Sequence, residues 1–111
     1  MNQDDDIRLK HMLDAAEEAI GFAEGRSRTD LDHDRMLVLA IMKDIEIIGE
    51  GASKLSYEFR SLYPEIPWSR IIGMRNRLTH AYFDINLNVL WHTVTVNLPA
   101  LKEQLEGILK A

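Results

Sequence analysis

The apolar positions of this chain recur at helical spacing almost throughout. In the first 25 residues they step by three and four, which predicts one amphipathic helix with acidic residues at its N-terminus. The polar stretch 25–29 then predicts a loop, and Thr29 or Asp30 can cap the helix that follows. The stripe of the first helix consists of Leu9, Leu13, Ala16, Ile20 and Ala23.

A second and longer apolar stripe spans residues 38–62. Gly49 and Gly51 lower the helix propensity of this segment, but the spacing of its apolar residues by three and four continues across them. The pattern therefore predicts one long helix that bends near the glycines, where another helix can approach closely. Residues 63–67 contain two prolines and end this helix, and Pro67 is well placed as the first residue of the next one.

Two further helices follow, separated by a turn and cap at residues 84–86. Pro99 lies inside the last helix and predicts a kink. Strand alternation, internal repeats and low-complexity linkers are absent from the sequence. We therefore expect one domain, residues 1–111, folded as an all-α antiparallel bundle of four to five helices. The apolar faces of these two helices are Ile71, Met74, Leu78 and Ala81, and then Leu87, Leu90, Val94, Leu98, Leu101, Leu105 and Ile108.

Composition narrows the classes of function. The chain has no cysteine, which excludes disulfides, thiolate metal sites and cysteine nucleophiles. Its acidic N-terminus lacks the apolar segment of a secretory signal, and no apolar run approaches the roughly 20 residues of a membrane helix. We therefore expect a cytoplasmic protein without membrane contact.

Charge is distributed unevenly on this acidic chain, whose net charge is −5. Residues 1–50 hold thirteen acidic against six basic side chains, whereas residues 66–83 hold Arg70, Arg75 and Arg77 and no acid. A local basic segment on an acidic protein is typical of a focused anion site rather than a broad nucleic-acid surface.

Most catalytic and cofactor motifs are absent, including glycine-rich phosphate loops and the His-Glu-x-x-His zinc motif, so we expect no cofactor. His11 with Asp14, and His33 with its flanking aspartates, are weak metal candidates because each pairing lacks a further supporting ligand. Solvated helix surface is the better interpretation of both, and we expect no metal site.

The segment from Arg70 to Tyr82 is the strongest candidate for chemistry. Arginine suits phosphate oxygens, and histidine transfers protons near neutral pH. Such residues suffice for metal-independent RNA cleavage, in which a 2′-hydroxyl attacks the adjacent phosphate, a histidine moves a proton and an arginine stabilises the phosphorane. A helix with a polar outer face is the alternative that composition alone leaves open.

Arg75, His80 and Tyr82 stand at the spacing Arg-x-x-x-x-His-x-Tyr, which resembles the signature of the HepT-type toxins in the HEPN ribonuclease superfamily. The resemblance covers nearly the whole chain and departs from the family at Gly51, where alanine is expected. The surrounding segments also resemble that family in order: residues 47–50, 63–68, 73–76 and 98–99.

The resemblance implies a HEPN-like helical bundle that dimerises and acts as a prokaryotic RNA endonuclease toxin, with RNA such as tRNA or mRNA as its substrate. It implies that Arg75 and His80 are catalytic. It also implies a partner antitoxin, a minimal nucleotidyltransferase that attaches AMP to Tyr82. An AMP group there would lie on the face of Arg75 and block RNA sterically and electrostatically.

Helical geometry adds an independent expectation about the motif. Arg75 and Tyr82 nearly share a face, but Arg75 and His80 are about 140° apart around a straight helix. Either the helix ends or distorts near His80, or a second copy of the chain completes the site. The second option requires a homodimer and predicts that a monomeric form is inactive.

The neighbouring polar residues have less definite roles. Asn76 shares a face with His80, so it either orients the imidazole or contacts RNA; Arg77 and Thr79 are candidate RNA contacts. Glu50 is a candidate salt-bridge partner of a motif arginine. Two other functions remain open: a non-catalytic helical dimer that binds and is modified by a nucleotidyltransferase, and a purely structural helical dimer.

Overall fold

The computed structural model describes residues 2–79 and 85–110, and every regular element in these two ranges is helical. The all-α, HEPN-like bundle expected from the sequence is confirmed. In it, α3 packs against both α1 and α5, and α1 also packs against α7. Within the described ranges no helix is both long and apolar enough to cross a membrane. The elements are α1 (Gln3–Ala23), α2 (Asp30–His33), α3 (Arg35–Lys54), α4 (Tyr57–Leu62), α5 (Trp68–Thr79), α6 (Leu87–His92), a π-helical turn (Thr93–Asn97) and α7 (Leu98–Lys110).

The buried face of α1 is wider than the predicted stripe. Asn2 caps the helix, its side-chain oxygen accepting a hydrogen bond from the backbone N–H of Asp5 at 2.7 Å. Leu13 and Ile20 of the predicted stripe are only half-buried. Because α1 packs against both α3 and α7, its buried face extends to Leu9, Met12, Ala15, Ala16, Ala19 and Ala23.

The start of the long helix differs from the prediction. Gly25 adopts a left-handed backbone conformation, with φ of 74°, in the loop after α1. Thr29 precedes α2 but makes no capping hydrogen bond through its side chain, and Asp30 lies inside α2. The side chain of Asp34 instead caps α3 by accepting a hydrogen bond from the backbone N–H of Leu37 at 3.0 Å.

The prediction of one helix over residues 38–62 is wrong, because α3 ends before Leu55 and α4 begins after Ser56. The Ser56 hydroxyl oxygen caps α4 by accepting a hydrogen bond from the backbone N–H of Phe59 at 3.1 Å. The buried Asp5 carboxylate of α1 accepts hydrogen bonds from the Ser56 backbone N–H at 3.0 Å and from its hydroxyl at 2.8 Å. Such bonds compete with helical pairing, so contact with α1, and not the glycines, divides the predicted helix.

The C-terminal segment is one continuous helical run with a local irregularity before its proline. Asn86 caps α6 through its side chain, as predicted. The π-helical turn follows, in which the backbone N–H of Leu98 donates to the carbonyl of Thr93. Pro99 supplies no N–H and crowds the preceding turn, so a widened turn lets the helix continue past it.

An acidic side chain lies in the interface between α1 and α3. Asp44 is 2% exposed, and its Oδ2 atom has no hydrogen-bond partner among the residues that the structure describes. Burial, together with the neighbouring carboxyl of Glu18, raises the pKa of Asp44 to about 7. Asp44 is therefore largely protonated on the acidic side of neutrality.

Candidate active site

The helix that carries Arg75 is anchored at its N-terminus by Trp68. Trp68, rather than the predicted Pro67, is the first residue of α5, and the Pro67 carbonyl accepts a hydrogen bond from the backbone N–H of Ile71 at 3.0 Å. The indole ring is buried, and its N–H lies within hydrogen-bond distance of the carbonyls of Arg60 at 3.2 Å and Tyr63 at 3.1 Å. The connector after α4 thereby holds the start of α5 in place.

Farther along α5, Arg75 packs directly against Gly49 of α3. A Cβ atom added at Gly49 would meet the Cβ of Arg75, and it would lie 2.7 Å from the Arg75 Cγ. It would also lie 3.3 Å from the backbone carbonyl oxygen of Ile71. The close helix approach predicted at the glycines is therefore confirmed, and at Gly49 the approaching residue is the motif arginine.

The Arg75 guanidinium is held beside its helix neighbour. Its Nη1 donates a hydrogen bond to the side-chain oxygen of Asn76 at 2.7 Å, and the Arg75 side chain is half-buried. Asn76 was predicted to act on His80 or on RNA, but among the described residues its amide oxygen contacts the arginine. The segment thus places one oriented cation at the surface of the bundle.

Glu50 follows Gly49 on α3 and has a different ion-pair partner from the one predicted. Its carboxylate pairs with Lys54, at 3.0 Å from the Nζ atom. The hydrogen bond and charge of Lys54, and secondarily the charge of Arg75, hold the pKa of Glu50 below its ordinary value. Glu50 therefore lies within electrostatic range of Arg75 while its ion pair is with Lys54.

The remaining motif positions are only partly described. Arg77 is exposed on α5, and Thr79 is the last residue of α5 within the described range. The predictions for His80 and Tyr82, and those for Ala81 and Asp84, fall outside the described residues. The roles of all of these residues stay predictions.

The third arginine of the acid-free segment is not grouped with Arg75. Arg70 lines an apolar cavity of about 250 Å³ between α3, α5 and the C-terminal segment, and Arg75 is not part of that lining. The two positions are about 140° apart around α5. The basic segment predicted from sequence is therefore divided between two faces of one helix.

The histidines considered as metal ligands lie at exposed positions. His11 borders a groove between α1 and α3, and His33 ends α2. In residues 2–79 and 85–110, no three histidine or acidic side chains are grouped closely enough to hold a metal ion.

Gly49 is a part of this site that the sequence pattern by itself does not indicate. The available signal was a glycine inside a strongly helical pattern, which indicates a close approach without naming the approaching residue. The tertiary structure identifies that residue as Arg75.

Comparison with known proteins places these features in a family. A family profile described as "Ribonuclease HepT-like" matches residues 12–108, a range that includes α3, α5 and positions 75–82. The chain is 37% identical over 102 residues to a protein of Caldanaerobacter subterraneus subsp. tengcongensis that is named as a candidate RNase, covering 92% of this chain and 91% of the relative.

Two archaeal relatives show similar coverage. The "Probable ribonuclease HepT" of Thermococcus cleftensis is 37% identical over 105 residues, which cover 91% of this chain and 96% of the relative. A candidate RNase of Methanocaldococcus jannaschii is 32% identical over 98 residues, which cover 88% of this chain and 90% of the relative. No solved structure matches the chain.

Proposed function

Because this chain belongs to the HepT-like ribonuclease family, we propose that it is a metal-independent RNA endonuclease and the toxin of a toxin–antitoxin pair. The observation that carries the proposal is the placement of Arg75. Its side chain starts at the close contact with α3, and its guanidinium is oriented by Asn76. His80 and Tyr82 follow within seven residues at the family spacing.

In the proposed reaction, Arg75 stabilises the charge that develops on the phosphate. His80 accepts the proton of the 2′-hydroxyl, the bond from the 2′-oxygen to phosphorus forms, and the bond from phosphorus to the 5′-oxygen breaks. The leaving 5′-oxygen takes up a proton from solvent, and His80 releases to solvent the proton that it accepted, so the protons balance. The products are a 2′,3′-cyclic phosphate end and a 5′-hydroxyl end, with Arg77 and Thr79 as supporting RNA contacts.

The proposed active form is a homodimer. The spacing of Arg75 and His80 supports this, since one regular helix directs the two side chains about 140° apart. A single copy of the motif is poorly placed to contact one phosphate with both side chains. A second copy brings a further Arg75 and a further His80 to the same phosphate.

The proposed control of the toxin is AMP transfer to Tyr82 by a cognate minimal nucleotidyltransferase. Tyr82 and Arg75 are seven positions apart, so a continuing helix places them on nearly one face. A nucleotide phosphate on the tyrosine would compete with RNA phosphate for the arginine.

We expect unmodified wild-type protein to cleave total RNA in the presence of EDTA. The measurement is the chemistry of the new ends, with intact mass first confirming that the protein carries no AMP. Loss of cleavage in His80→Ala serves as the control. RNA left intact by the unmodified wild type would favour the non-catalytic dimer that binds a nucleotidyltransferase, and cleavage only after addition of Mg²⁺ would contradict metal independence.

Tyr82→Phe is expected to keep ribonuclease activity and to escape silencing, because the ring remains while the acceptor hydroxyl is lost. Protein incubated with the cognate nucleotidyltransferase and ATP is measured by intact mass and by RNA cleavage. A Phe variant that still gained AMP would place the modification on another residue.

A further inference from the structure

Gly49 lies where α3 packs against the helix that carries the motif, and a Cβ atom added there would meet Arg75. We propose that Gly49 is a positioning residue for RNA cleavage: only a residue without a side chain lets α5 lie where the Arg75 guanidinium reaches the reacting phosphate. This inference rests on the proposed catalytic role of Arg75.

The steric case depends on which atoms face Gly49. Gly49 is buried, and an added Cβ would meet the Cβ of Arg75 and approach the carbonyl oxygen of Ile71 to 3.3 Å. Both atoms are fixed to the backbone of α5, so no side-chain rotation relieves the overlap. Any side chain at this position must therefore move α5 away from α3, and the base of the Arg75 side chain moves with the helix.

Two other glycines of the chain provide matched controls. A Cβ added at Gly51, also on α3, would lie 2.7 Å from Cγ and 3.2 Å from Sδ of Met12, a buried side chain that belongs to α1 and not to α5. A Cβ added at Gly73, on α5 itself, would have no neighbouring atom within 4 Å. All three alanine substitutions raise helix propensity by a similar amount. Only the Cβ of Gly49→Ala would overlap atoms of α5, so only that substitution displaces α5 directly.

The guanidinium itself is located close to the surface of α3. Asn76 accepts its hydrogen bond at 2.7 Å, and the Arg75 charge acts on Glu50, which adjoins Gly49 in the chain. A shift of α5 therefore changes both the direction of the guanidinium and its distance from the Glu50 carboxylate.

A displacement of about 1 Å at a catalytic group can lower a rate by about 100-fold. We expect Gly49→Ala to reduce cleavage per folded molecule by about 10- to 100-fold. The loss should appear mainly in kcat rather than KM, because Arg75 acts on charge that develops in the transition state.

The experiment compares Gly49→Ala, Gly51→Ala and Gly73→Ala with the wild type. Cleavage of RNA is normalised to the folded fraction from circular dichroism in the same buffer, and the Arg75 side-chain Nε–Hε resonance is recorded for each variant. We expect Gly49→Ala alone to lose kcat and to shift that resonance. Equal kcat in the Gly49 and Gly51 variants, with an unshifted resonance, would overturn the proposal.

Two double variants cover the case in which Gly49→Ala does not fold. Arg75→Gly removes the facing Cβ, so Gly49→Ala/Arg75→Gly should recover the folded state, whereas Gly49→Ala/Met12→Ala should not. The reverse result would contradict the assigned contact. The resonance shift also separates the proposal of RNA cleavage from the proposal that Gly49 positions Arg75. If the wild type does not cleave RNA but Gly49→Ala shifts the Arg75 resonance, the first proposal fails, and the contact by which Gly49 positions Arg75 is still supported.

Discussion

Arg75→Ala is expected to lower kcat for RNA cleavage by about 100- to 1,000-fold, the range found when one donor to developing negative charge is removed from an enzyme. The physical reason is the loss of an oriented guanidinium from an otherwise acidic protein. The rate is measured on one defined RNA, with the folded fraction of each variant determined by circular dichroism.

Two arginine variants sharpen this test. Arg75→Lys keeps the charge but loses the planar pair of donors, so it should recover only part of the rate. Arg70→Ala removes an exposed arginine from the same helix, on the face that borders the apolar cavity, and should cleave at nearly the wild-type rate. An Arg75→Ala variant as active as Arg70→Ala would remove Arg75 from the mechanism.

Asp44→Asn is expected to stabilise the protein above neutral pH. Burial and Glu18 raise the folded-state pKa of Asp44 from 3.8 to about 7, so the folded state holds a proton that the unfolded state has released. The contribution of Asp44 to stability is therefore complete below the lower of these pKa values and is lost as pH rises through the higher one. Each unit of pKa difference corresponds to about 1.4 kcal/mol.

Denaturant unfolding at several pH values measures this effect. Between about pH 4 and 8, the free energy of unfolding of the wild type should fall by about 4 kcal/mol relative to that of Asp44→Asn. The two proteins should be similar near the acidic end of the range. Glu17→Gln controls for the loss of one negative charge at an exposed position of α1, and parallel curves for the wild type and Asp44→Asn would contradict the assignment.

Local sequence patterns were sufficient for most of the secondary structure. The helical spacing of apolar residues predicted the bundle, and the segment 84–86 predicted a cap, which Asn86 forms. Pro99 predicted a kink, and the structure has a π-helical turn just before that proline. These features depend on residues within one or two turns of each other, whose capping bonds and steric limits are the same in any fold. The candidate site was likewise recognised from a short spacing, Arg75 to Tyr82, and its catalytic role stays a prediction.

The sequence by itself determined that this chain forms helices with one broad apolar side and that its basic, acid-free segment lies on one of them. The tertiary structure decided that Asp5 ends the long helix by binding Ser56, and that Gly49 receives Arg75. It also decided that Asp44 is buried beside Glu18. Each of these contacts joins residues more than 20 positions apart, and their energies depend on shape and burial that exist only after the helices have packed.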